Sequence, residues 1–132
     1  MPNINYLAVI VAAASSFFLG GLWYSRRLFG ETWNREAGAG PKNPEGHHPA
    51  RVFGVSIVFA LVAAVAYAWL VPPPDGAAHA LAQGLAVGAC IVAASFGINY
   101  QFGNRTTKLW LIDGGYHTVQ FAIYGLVIGL WR

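Results

Sequence analysis

Four long apolar stretches, almost free of charge, divide this chain and leave it few ways to fold. They run over residues 5–24, 52–71, 77–100 and 109–131. The first three contain no Asp, Glu, Lys or Arg, and the fourth contains only Asp113. Crossing the hydrocarbon core of a bilayer takes about 20 apolar residues, whereas a helix on the surface of a soluble domain keeps a charged face. The pattern predicts an all-α polytopic membrane protein, a bundle of four transmembrane helices. These spans use most of the chain, so residues 1–132 are read as a single membrane domain. Composition agrees: 10% of the residues are charged, against about 25% in a typical soluble domain. Met1-Pro-Asn-Ile-Asn5 lacks the positive segment that opens a secretory signal, so the first stretch reads as a retained span.

Orientation follows from the basic residues. The loop at 25–51 holds Arg26, Arg27, Arg35, Lys42 and Arg51, and the loop at 101–108 holds Arg105 and Lys108. Alternation across four spans puts both loops on one side, leaving only Arg132 for the other. The positive-inside rule then places both loops in the cytoplasm and both termini outside. The net charge of +3 is accounted for by these flanking residues, which fix topology and meet anionic headgroups, so no nucleic-acid partner is expected. Trp23, Tyr24, Trp69, Tyr100, Trp110 and Trp131 sit at span ends, as interfacial aromatics do. Within the first loop, residues 28–33 fit a short interfacial helix and residues 38–46 a flexible linker. His47-His48 lacks the further ligands a metal site needs and reads as part of that linker. Pro72-Pro-Pro-Asp-Gly76 forces spans two and three into a tight hairpin.

Helices in lipid associate through close packing of small residues. Each span offers such a stripe at four-residue spacing. These are Ala8, Ala12, Ser16 and Gly20; Ala60, Ala64 and Ala68; Ala80, Gly84 and Gly88; and Gly114, Thr118 and Ala122, with Gly125 and Gly129 beside the last. The stripes predict a compact bundle with faces left for a homo-oligomer, a dimer in the first instance. Cys90, the one cysteine, reads as a small packing residue in mid-span.

The fourth span carries the candidate chemistry. Asp113, Tyr116, His117, Gln120 and Tyr124 fall on one side at helical spacing, while Ile112, Val119, Ile123, Leu126 and Leu130 form a face assigned to lipid. Ionisable groups at membrane depth are functional candidates by default. One reading makes Asp113 and His117 a protonatable pair one turn apart. Gln120 and Tyr124 then line a cavity, Asn99 and Asn104 hydrogen-bond the acid, and Arg105 sits with Asn104 at the cytoplasmic mouth. The plainer reading pairs Asp113 with Arg26, Arg27 or Arg105, or breaks the helix at Asp113-Gly114-Gly115 and lets the acid cap a new start. His79 and Gln83, at the far end of span three, read as interfacial. No nucleophile elbow, zinc-binding pair, phosphate loop or dinucleotide fingerprint is present, so neither an enzyme nor a cofactor or metal is expected.

Asn5-Tyr-Leu-Ala8, Leu22-Trp-Tyr-Ser25, Leu28-Phe-Gly30, Trp33, Phe102-Gly-Asn-Arg105 and above all Leu109-Trp-Leu-Ile-Asp-Gly-Gly-Tyr-His117 resemble the bacterial four-span membrane proteins of domain-of-unknown-function family 1761. The resemblance covers nearly the whole chain. It implies a bacterial inner-membrane bundle and brings no activity, substrate or cofactor with it. The functional expectation is a small integral membrane protein that binds or passes a proton, cation or small solute through a polar cavity lined by its fourth span. The alternative is a structural or assembly subunit with a hetero-partner in a larger membrane complex.

Overall fold

A computed structural model describes residues 3–38 and 48–132. Among these residues the chain forms five helices and no strand. They are α1 (Tyr6–Trp23), α2 (Gly30–Ala37), α3 (Pro49–Leu70), α4 (Gly76–Phe102) and α5 (Thr107–Leu130). The linker reading of residues 38–46 and the His47-His48 pair fall mostly outside the described residues. Only Gly38 and His48 of these are described, and the His48 Nδ1 accepts the Ala50 amide at 3.1 Å ahead of Pro49 in the first turn of α3.

Local chemistry sets the other helix ends. Asn5 Oδ1 accepts the amides of Leu7 and Ala8 at 3.1 and 3.2 Å, satisfying donors that the first turn of α1 cannot pair itself. Thr106 Oγ1 does the same for Leu109 at 3.2 Å. Gly38 ends α2 in the left-handed region, at φ 64°. Between α1 and α2 the chain doubles back, with Phe29 N donating to Trp23 O at 3.1 Å and Gly30 N to Ser25 O at 2.9 Å. Gly30 is buried against the backbone of Tyr24 and Ser25, where a Cβ would collide with both. That close approach is what tucks α2 under the end of α1.

α1, α3 and α4 are long and apolar enough to cross a membrane. α5 is long enough at 24 residues but less apolar, because of its polar stripe. Large side chains point outward from the bundle, Phe18 at 82% exposure and Phe59 at 68% among them. Water would penalise so much exposed apolar surface and lipid would not. The interior is lined by small residues. Ala8, Ala12 and Ser16 of α1, Ala60, Ala64 and Ala68 of α3, Ala80, Gly84 and Gly88 of α4, and Gly114, Ala122 and Gly125 of α5 are all buried.

α5 is the hub, packed against α1, α2, α3 and α4. Its closest neighbour is α4. Gly84 lies against the Phe121 carbonyl, Gly125 against that of Ala80, and Gly88 against the backbone of His117 and Thr118, so that a Cβ at any of the three would overlap a main chain. Beside this seam α4 widens into a π-helical stretch, Val87–Ala93. The indole of Trp110 donates to Ala93 O at 2.8 Å, satisfying a carbonyl at the point where the hydrogen-bond register changes.

Three expectations need correction. α5 runs unbroken through Asp113-Gly114-Gly115, because its start is capped at Thr106 and the two glycines face Trp110 and Trp23 rather than ending a helix. Ile112, assigned to lipid, is buried, since a helix surrounded by four others has little free face. Cys90 is exposed, on the outer side of the π-helical stretch, and is not a packing residue.

Candidate functional site

The polar groups of α5 are satisfied in layers, beginning at the end of the bundle where α1 and α4 finish and α5 starts. Asp113 is 8% exposed. Its Oδ1 accepts the Tyr24 hydroxyl at 2.6 Å and the Trp33 indole at 3.0 Å, and its Oδ2 accepts the Tyr100 hydroxyl at 2.5 Å. These donors come from the end of α1, from α2 and from α4. All three are neutral, so the ion pair with Arg26, Arg27 or Arg105 gives way to a cage of aromatic donors. Trp23 reinforces the same end, its indole donating to Ile112 O at 2.9 Å.

One turn deeper, Tyr116 donates to Ser16 O at 2.9 Å. Its ring meets Tyr24 at 5.5 Å between centroids and lies edge-on to His117 at 4.9 Å. Phe96 stacks on His117 at 4.7 Å. The imidazole thus packs against two rings, with Nδ1 2.7 Å from Gln120 Oε1. Gln120 Nε2 donates to Ser16 Oγ at 3.1 Å and to Tyr124 Oη at 2.9 Å. With its amide nitrogen so used, Oε1 is the acceptor and His117 Nδ1 carries the proton. Ser16 Oγ and Tyr124 Oη lie 2.8 Å apart, and Tyr124, fully buried, also donates to Ala60 O at 3.3 Å. One network therefore joins α1, α3 and α5.

Among the described residues, Asp113 and His117 have separate hydrogen-bond partners. Asn99, Asn104 and Arg105 are exposed, and none of them bonds to Asp113. Tyr100, next to Asn99, fills the role expected of the asparagines. Asn104 instead forms the turn into α5, at φ 52°. Gln120 and Tyr124, expected to line a cavity, reach inward into contacts with Ser16 and Ala60. The residues missed from sequence are Tyr24, Trp33, Tyr100 and Ser16. Tyr24 and Tyr100 carried the signal of aromatics at span ends, which also marks interfacial anchors, and Trp33 that of a short interfacial helix. Ser16 stood in a small-residue stripe.

The far end is tied by simpler contacts. Asn5 Nδ2 donates to Trp131 O at 2.7 Å and Arg132 to Val71 O at 2.6 Å. His79 Nδ1 accepts the Asp75 amide at 3.0 Å and Gln83 donates to Pro72 O at 3.1 Å, so both residues brace the proline hairpin.

Helices of membrane-crossing length around a less apolar fifth, with a caged carboxyl at one end, define a class of helical bundle suited to a bilayer. Residues 7–129 match the family described as protein of unknown function, DUF1761, and the chain belongs to that family. No curated protein and no solved structure matches it.

Proposed function

We propose that this chain is a four-span integral protein of a bacterial inner membrane, with both termini outside, and that Asp113 at the inner end of α5 binds a proton. The observation that carries the reading is the buried Asp113 carboxyl, held by three neutral donors. An acid at membrane depth with no cationic partner has a role beyond charge balance. A carboxylate offers about four acceptor positions, and the two hydroxyls and the indole take three of them, which leaves one for a proton. A proton needs none of those donors to leave the site. His117, one turn deeper with its orientation fixed by Gln120, is the second titratable group on the path, and the chain through Gln120, Tyr124 and Ser16 holds that path together. α5 serves as the fourth span because its polar atoms are turned inward and hydrogen-bonded, as lipid requires.

The test uses the full chain reconstituted in liposomes with an entrapped pH dye. The protein is expected to pass protons under an imposed gradient. Acidification should raise an infrared carboxylic-acid band. Asp113→Asn should abolish both while leaving the helical circular dichroism intact. If neither flux nor band appears, and the chain is recovered from native membranes in a stoichiometric complex with another subunit, the assembly reading replaces this one.

A further inference from the structure

Where α4 ends and α5 begins, the two helices part and leave an open cleft of about 410 Å³. Ile98, Tyr100 and Trp110 line it with apolar surface, and Gln101, Arg105 and Thr107 supply polar groups. The cleft is therefore graded, with greasy sides below and a guanidinium, an amide and a hydroxyl above. Its volume falls within the usual range for small-molecule sites, roughly 300–1,000 Å³. Arg105 is exposed and bonds to no acid in the Asp113 cage.

We infer that this cleft is a binding site for an anionic phospholipid, with the headgroup phosphate on Arg105 and the first acyl carbons against Ile98 and Trp110. Charge and shape complementarity select this occupant. A guanidinium presents a planar fork of donors that fits phosphate oxygens. Gln101 and Thr107 add neutral donors suited to glycerol and ester oxygens. The apolar walls give a reason for the ligand to be a lipid rather than free phosphate. The inference needs only that α4 and α5 lie in a bilayer, and it stands apart from proton binding at Asp113.

Native mass spectrometry of the detergent-solubilised full chain tests it, with phosphatidylglycerol and phosphatidylcholine offered in equal amounts. One basic residue at an anionic surface corresponds to about a fivefold preference. Phosphatidylglycerol should be retained over phosphatidylcholine by about that factor. Arg105→Gln should bring the two lipids to parity, and Ile98→Trp, which fills the cleft from its wall, should reduce retention of both. Arg27→Gln, a basic residue outside the cleft, should leave the preference intact. The inference is overturned if the wild-type chain shows no preference, or if Arg105→Gln keeps it. It also fails if Arg27→Gln erases the preference equally, or if soluble glycerol phosphate displaces the bound lipid.

Discussion

Asp113 gathers donors from three segments far apart in sequence, and that makes it the residue on which substitutions should weigh most. Tyr24→Phe and Tyr100→Phe each remove one donor and are expected to cost about 1–3 kcal/mol, read from unfolding of the detergent-solubilised protein. Asp113→Asn turns a hydrogen-bond donor toward groups that are donors themselves and should cost more than either. In that background Tyr24→Phe should cost less than it does in the wild-type chain, and full additivity in the double-mutant cycle would contradict the cage. Tyr67 makes a contrasting case. Its hydroxyl is buried with no hydrogen-bond partner among the described residues, beside the rings of Phe121 and Tyr124. Tyr67→Phe is therefore expected to stabilise the protein by about 1 kcal/mol, and a measured loss would mean that the hydroxyl has a partner. At this scale the sequence announced the acid and the imidazole, because a charge or an imidazole in an apolar run is conspicuous. It did not announce their partners. Tyr24, Trp33 and Tyr100 become neighbours only when α1, α2 and α4 converge, and nothing local in the chain encodes that convergence.

At the scale of elements, the seam between α4 and α5 is set by glycine. Gly84→Ala and Gly125→Ala would each drive a methyl into the facing backbone and push the helices apart. Both are expected to lower the unfolding midpoint strongly. Gly54 has nothing within 4 Å of its missing Cβ. Gly54→Ala should be neutral or stabilising by about 0.5–1 kcal/mol, since alanine is the better helix former. Equal losses at Gly84 and Gly54 would dispose of the seam as the tight contact. The small-residue stripes were legible beforehand because four-residue spacing is a local property and lipid leaves few other ways to pack helices. The faces of α5 were harder to assign. Periodicity sorts residues into sides but does not say how many neighbours a helix has, and α5 has four. The π-helical stretch at Val87–Ala93 left no trace in composition at all.

For the whole molecule, the positions of the long helices followed from apolar run lengths. The expected spans at 52–71 and 77–100 meet helices at Pro49–Leu70 and Gly76–Phe102, and the short helix expected at 28–33 overlaps Gly30–Ala37, which starts later and runs further. Cys90, exposed in the middle of α4 and the one cysteine of the chain, offers a direct probe of immersion. In intact vesicles it should resist a membrane-impermeant maleimide and react with it once the membrane is dissolved in denaturing detergent. Rapid labelling by the impermeant reagent would place that face of α4 in water. Reporter fusions at the C-terminus should behave as extracytoplasmic, active with alkaline phosphatase and dark with a fluorescent protein that needs the cytoplasm. The reverse result would invert the proposed orientation.

The Asp113 cage also bears on what kind of motion the bundle can support. The carboxyl joins α1, α2 and α4 to α5, beside the Trp23–Ile112 and Tyr116–Ser16 bonds that hold α1 independently, and the facing glycines lock α4 onto α5 along their middle. Loosening that knot would release α2 first, while α1 kept its own bonds to α5 and the α4–α5 pair stayed fused. The motion this favours is a swing of α2 against a rigid carboxy-terminal post.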